Sequence, residues 1–161
     1  MEQKSNRPVD WEALLLRNEN HMYRAALALL GNREEAQDAV QDALVIFLEK
    51  RPDFADEAHE RAWLLRVTVN RCKSRLRSPW RKRWVDLSAL AEIADVETQE
   101  ELTELSQLPP KDRAAIHLHY YEGYSTAEIA AMTGEAEGTI RSRLHRARQK
   151  LRRLLDEEEA Q

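Results

Sequence analysis

The stretch YSTAEIAAMTGEAEGTIRSRLHRAR, residues 124–148, decides how this chain folds. Ser125 and Glu128 form an S-x-x-E capping box ahead of Ile129, Ala130 and Met132, so a short helix starts there. Gly134 ends it. A long helix then begins near Glu137 and carries Ile140, Leu144, Ala147, Leu151 and Leu154 at steps of three and four. Upstream, Pro110 suits the first turn of a helix that runs through Ile116 and Leu118 to about Glu122, and Gly123 supplies the turn. Helix, tight turn, short helix, turn and basic helix is the helix-turn-helix layout, whose last helix enters the major groove of DNA.

The side chains on that last helix divide by face. Ile140, Leu144, Ala147 and Leu151 point to a core, while Arg141, Ser142, His145 and Arg146 lie on another face near the N-terminal half. Arginine holds a guanine edge with two hydrogen bonds, and serine or histidine adds one. Arg143, Arg148, Lys150 and Arg152 are better placed for phosphates, which position a domain without reading sequence. A generic amphipathic helix carries a similar pattern; the capped helix and glycine turn ahead of this one favour DNA.

Working towards the N-terminus, Asp10 caps a helix bearing Trp11, Leu14, Leu15, Met22, Ala26, Leu29 and Leu30, and Gly31-Asn32 punctuates it. A second helix spans about Arg33 to Glu49, with Ala36, Val40, Ala43, Leu44, Phe47 and Leu48 on one side. A third starts near Asp56 to Ala58, carries Trp63, Leu64, Val67 and Leu76, and stops at Ser78-Pro79. Three single-striped helices bury their stripes against one another. Trp80 to Pro110 reads as a linker with a short helix around Glu97 to Leu108. The expectation is an all-α protein of two small helical domains, 10–78 and 105–155, with 79–104 as an acidic linker that is extended or poorly ordered without a partner. One continuous core including Asp86 to Glu104 would contradict that division.

Composition agrees with helices: the 161 residues include only 4 Gly and 5 Pro, 34 % are charged, and 6 % are aromatic, so the cores are mainly aliphatic. The net charge of −4 argues by itself against a nucleic-acid partner, but the mean hides a segregation. Arg61 to Val85 contains no acid and includes Arg66, Arg71, Lys73, Arg75, Arg77, Arg81, Lys82 and Arg83. Trp84 to Pro110 has no Lys or Arg, and Gly138 to Leu155 is basic again. One basic block is ordinarily a solvated helix face. Two, around an acidic segment, suit a polyanion touched at two places. Cys72 is the single cysteine, so no intramolecular disulfide exists and a reducing compartment is expected. Met1 to Val9 lacks the apolar stretch of a signal peptide, and no apolar run approaches a membrane span, so a cytoplasmic protein without membrane insertion is expected.

The stretches Leu108-Pro-Pro-Lys-Asp-Arg113, Tyr124 to Ala130 and Gly138 to Arg148 resemble the promoter-reading C-terminal domain of extracytoplasmic-function sigma factors of bacterial RNA polymerase. Leu27 to Gly31, Ala36-Gln-Asp-Ala-Val-Gln-Asp42 and Ala62 to Asn70 are similar to that family's N-terminal domain, in its order and spacing. The likeness spans roughly Asp10 to Leu155. It implies core RNA polymerase and promoter DNA as partners, an anti-sigma protein as a third, no cofactor and no catalysis. Asp38, Gln41 and Asp42 are the implied polymerase contacts. Asn70 matches the residue that reads a flipped base of the melted downstream element, with Arg66, Arg71, Lys73 and Arg75 holding the strand's backbone. A structural role remains open for Asn70: satisfying a neighbouring backbone group. Contacts to the upstream element fall on Arg141, Ser142, His145 and Arg146. Gln37, Leu44, Ser74 and Ala136 depart from the family's usual Glu, Phe, Asp and Ser.

Other readings are weaker. His117 and His119 are two apart and cannot pair on one helix face as zinc ligands four apart do, and no phosphate loop or nucleophile motif is present, so an enzyme is not expected. A polymerase-independent helix-turn-helix regulator is the alternative, but it leaves Arg61 to Arg83 beside Asn70 without a purpose. A protein-interaction adaptor leaves both basic blocks unexplained.

Overall fold

A computed structural model describes residues 8–81, 85–93 and 98–159, with side chains described as far as residue 151. Lys82, Arg83, Asp95, Glu97 and the side chains of Arg152 and Arg153 therefore lie outside the described residues. Among those described, all regular structure is helical: α1 (Trp11–Leu30), α2 (Arg33–Lys50), α3 (Glu57–Leu76), α4 (Leu87–Leu90), α5 (Gln99–Gln107), α6 (Pro110–Ile116), α7 (Thr126–Thr133) and α8 (Glu137–Glu159).

The first three helices are set by their ends. The side chains of Asp10, Asn32 and Asp56 accept hydrogen bonds from the N–H groups of Ala13, Glu35 and His59, each occupying a donor that the first helical turn leaves unmet. Gly31 closes α1 in the left-handed region, φ 64°. A side chain there would also strike Val85, whose Cγ1 lies 2.8 Å from where a Cβ would stand. The helices bury an aliphatic seam that includes Met22, Ala26, Leu30, Ala39, Ala43, Leu64 and Val69. Trp11, Phe47, Phe54 and Trp63 close its far end with ring centroids 5.6–6.1 Å apart.

The segment expected to be an extended linker is folded onto this bundle. Asp86 donates its N–H to the Gly31 carbonyl and caps α4, which buries Ala89 and Leu90, with Ile93 following. Arg33 at the start of α2 holds the segment through Asp86, Ser88 and Glu92. Helix α5 opens with a Thr98–Glu101 capping box and buries Leu102 and Leu105, so the expected boundary at 105 falls inside a helix. The result is one continuous core from Leu14 to Ala147. The reason is apolar spacing within the acidic stretch. Leu87, Leu90 and Ile93 recur every three residues, and burying them outweighs the solvation of their acidic neighbours.

Helices α6 to α8 form the remaining unit, which packs α6 on α1 and α7 on α3. The helix expected to reach Glu122 unbroken instead widens into a π-helical turn, His117–Tyr121, with the Glu122 N–H on the His117 carbonyl.

Candidate nucleic-acid interface

Helix α8 is aimed by the short helix before it. Ser125 and Glu128 form the capping box expected from sequence, and Gly134 ends α7 at φ 74°. Ala136 opens α8 with its carbonyl accepting from Thr139 and Ile140, but its side chain cannot cap. Glu137 compensates, because its carboxylate accepts from Thr126 Oγ1 at 2.9 Å and pairs with Arg141 at 3.3 Å. Ile140, Leu144 and Ala147 are buried, which turns Arg141, Ser142, His145, Arg146 and Arg148 outward. The guanidinium of Arg148 lies 5.6 Å above the exposed Tyr120 ring.

Arg143 differs from the expectation. It is half-buried and pairs with Glu135 at 2.6 Å and with the buried Asp112 at 3.3 Å, so it is a structural cation rather than a phosphate contact in this arrangement. Arg146 also reaches Asp112, at 3.5 Å, but its side chain stays 59 % exposed.

On α3 the basic block resolves into two groups. Arg66, Asn70, Ser74 and Arg77, spaced by four, four and three, form one exposed stripe. The Asn70 side chain makes no hydrogen bond to the described residues, so the structural role left open for it finds no partner here. Arg71 and Arg75 turn instead to Asp42 of α2, at 3.5 and 3.3 Å. Lys73 donates to the Thr133 carbonyl at the end of α7, at 2.6 Å. Of the residues expected to hold the downstream strand, Arg66 is free, while Arg71, Lys73 and Arg75 already have protein partners. Cys72 is buried, and burial pushes its thiol up to about 12, which leaves it unreactive.

The expected polymerase contacts on α2 also divide. Asp38 and Gln41 are exposed, with Gln41 beside Gln37, Leu44 and Tyr23 in a shallow groove. Asp42 is tied up by the two arginines of α3.

Two further clusters join the N- and C-terminal units, and sequence reasoning found neither. Arg113 is 3 % exposed and inserts its guanidinium against the end of α1, donating to the carbonyls of Ala28 at 2.9 Å and Leu29 at 3.4 Å while also holding Leu108 at 2.8 Å. Arg81 caps the next carbonyl, Leu30, at 2.6 Å. Burial, with the charge of Arg81 adding to it, brings Arg113 down to about 10, so it stays charged at neutral pH. It faces helix-end carbonyls in place of a carboxylate.

The second cluster is His21 of α1, whose Nδ1 lies 2.8 Å from Glu122, with His117 Nε2 3.5 Å away on the other side. Burial pushes the Glu122 carboxyl up, but His117 and His21 outweigh it and leave its pKa below the usual carboxylate value. A carboxyl depressed in the fold stabilises it above the unfolded value, and that contribution fades as pH falls through the folded one. Glu122→Gln should therefore cost stability at neutral pH. The gap to the wild type should narrow as pH falls from the ordinary glutamate range to below it, measured by urea unfolding at stepped pH. A constant gap across that window would show that the ionised form is not what matters.

Among the described residues no group of His, Cys, Asp and Glu could hold a metal ion, and no helix is long and apolar enough to cross a membrane.

Residues 14–82 match the family model described as sigma-70 region 2, and residues 99–151 match sigma-70, region 4. An RNA polymerase sigma factor of the extracytoplasmic-function (ECF) type from Mycobacterium tuberculosis, SigM, is 35 % identical over 90 % of this chain and 76 % of its own. A second from that organism, SigL, is 35 % identical over 84 % and 83 %. The sigma factor RpoE of Bartonella quintana, solved in complex with the anti-sigma factor NepR, superposes with TM-score 0.68 at 28 % identity, covering 91 % of this chain and 97 % of that one. CnrH, solved with the cytosolic domain of CnrY, gives 0.62 at 28 %, covering 90 % and 86 %.

Proposed function

This chain belongs to the extracytoplasmic-function sigma factors, and from that premise we propose how its residues bind core RNA polymerase, read a promoter and start transcription. The observation that carries the reading is the pair of exposed basic faces, one on α3 and one on α8, lying within the two matched sigma-70 regions. Helix α8 enters the major groove of the upstream element, with Arg141, Ser142, His145 and Arg146 on base edges and Arg148 on phosphate. Asn70 reads an unpaired base of the downstream element and Arg66 holds its backbone. Asp38 and Gln41 on α2 face the polymerase; Asp42 joins them once Arg71 and Arg75 turn to DNA. The working units are 10–78 and 99–155, because α5 packs with the C-terminal helices. The protein acts in the cytoplasm as an initiation factor, without catalysis of its own. An anti-sigma protein is a fitting partner, given that the similar sigma factor RpoE of Bartonella quintana was solved in complex with the anti-sigma factor NepR.

A polymerase-independent regulator is the competing reading, and the region 2 match across α1 to α3 weighs against it. Gel filtration with core polymerase, followed by run-off transcription on genomic promoter fragments, tests the proposal. Separate elution and no transcript would refute it.

The division of the α8 cations gives a further expectation. Arg148→Ala should reduce the salt slope of upstream-element binding by about 0.9, because one phosphate contact fewer releases one fewer counterion. Arg143→Ala should leave that slope alone and lower the unfolding midpoint instead. A titration of DNA affinity against salt, run beside thermal melts, separates the two.

A further inference from the structure

Trp80 is 91 % exposed, the most exposed large apolar side chain among the described residues. Tryptophan is on average highly buried, and Trp11 and Trp63 follow that rule by packing on Phe47. Trp80 is nonetheless not on a loose strand. The Ser78 N–H bonds the Arg75 carbonyl at 3.1 Å, and the Arg81 N–H bonds the Ser78 carbonyl at 3.3 Å, with Pro79 stiffening the turn between them. Arg81 then bolts that turn to the bundle through the Leu30 carbonyl and Glu35. The indole is thus held outward on a rigid mount.

Its position adds the chemistry. The exposed stripe Arg66, Asn70, Ser74 and Arg77 runs along α3, and Trp80 follows Arg77 by three residues, just past the helix end. Asn70 to Arg77 covers about 10 Å of helix axis. No acidic residue occurs between Arg61 and Val85, and Glu35, the acid nearest the turn in these contacts, is already paired with Arg81. An exposed aromatic face held just beyond a row of exposed cations, in a stretch of chain without acids, is the kind of surface that stacks an unpaired base.

We propose that Trp80 is a stacking platform that extends the downstream reading stripe, taking an unpaired base of the melted promoter strand further along from the one held at Asn70. This rests on the function proposed above, and the experiment separates the two. Holoenzyme carrying wild-type chain, Trp80→Ala or Trp80→Phe is titrated against a forked promoter with a single-stranded downstream element and against the fully duplex upstream element. Wild-type preference for the fork tests the function itself. Given that preference, Trp80→Ala should weaken fork binding by about tenfold and Trp80→Phe by no more than about twofold, since any aromatic face stacks. Duplex binding and affinity for core polymerase should not change. Fork affinity unchanged in Trp80→Ala would overturn the proposal. So would a loss of core affinity, which would make the indole a polymerase contact.

Discussion

Replacing Arg113 by alanine is expected to lower the unfolding midpoint by about 6–12 °C, the largest stability effect of any single substitution considered for this chain. The guanidinium supplies hydrogen bonds to carbonyls of both units at once. Its loss leaves the Ala28 and Leu108 carbonyls buried without donors. Each such group costs about 1–3 kcal/mol, and a total near 3 kcal/mol converts to that shift for a domain of this size. Arg113→Lys should recover less than half, because a single ammonium cannot reach carbonyls that a planar fork spans. Differential scanning calorimetry decides the matter. A midpoint within a degree or two of wild type would mean that the two units are held together by something else.

The second large effect is functional. Asn70→Ala should leave the holoenzyme bound at the upstream element while promoter opening falls by at least about tenfold, the scale of one good base contact. Base preference in the melted element should relax at the same time. Permanganate footprinting reads the opening, and a library of promoter variants reads the preference. Because Asn70 is exposed and unpaired in the fold, the substitution should not change the melting temperature, so a loss of opening cannot be blamed on misfolding. Wild-type opening with unchanged preference would return Asn70 to an ordinary surface residue.

Much of this architecture is written locally. Asp10, Gly31, the Ser125–Glu128 box and Gly134 act within a few residues of themselves, so helix ends could be placed by inspection. The outward set on α8 follows from helical periodicity, because burying Ile140, Leu144 and Ala147 leaves Arg141, Ser142, His145 and Arg146 nowhere else to go. What sequence could not supply were pairings between distant residues. Lys73 and Thr133, Arg113 and Ala28, His21 and Glu122, and Arg143 and Asp112 are each separated by thirty or more positions, and none carries a local signature. The segment 85–93 departs from an extended linker for a different reason: its charge favours solvation, but the three-residue spacing of Leu87, Leu90 and Ile93 gives it an apolar face to bury.

The shared core has a consequence for how the molecule fails. With Leu90 and Ile93 buried beside the bundle and Leu102 and Leu105 beside the C-terminal helices, the cores beneath the two DNA-reading faces run into one another. Partial damage therefore has no intermediate grade. A substitution that loosens the α4 seam withdraws support from α8 as well, and heat removes both readers in one cooperative step. Such a chain has no half-active form in which one reader works alone at the wrong sites.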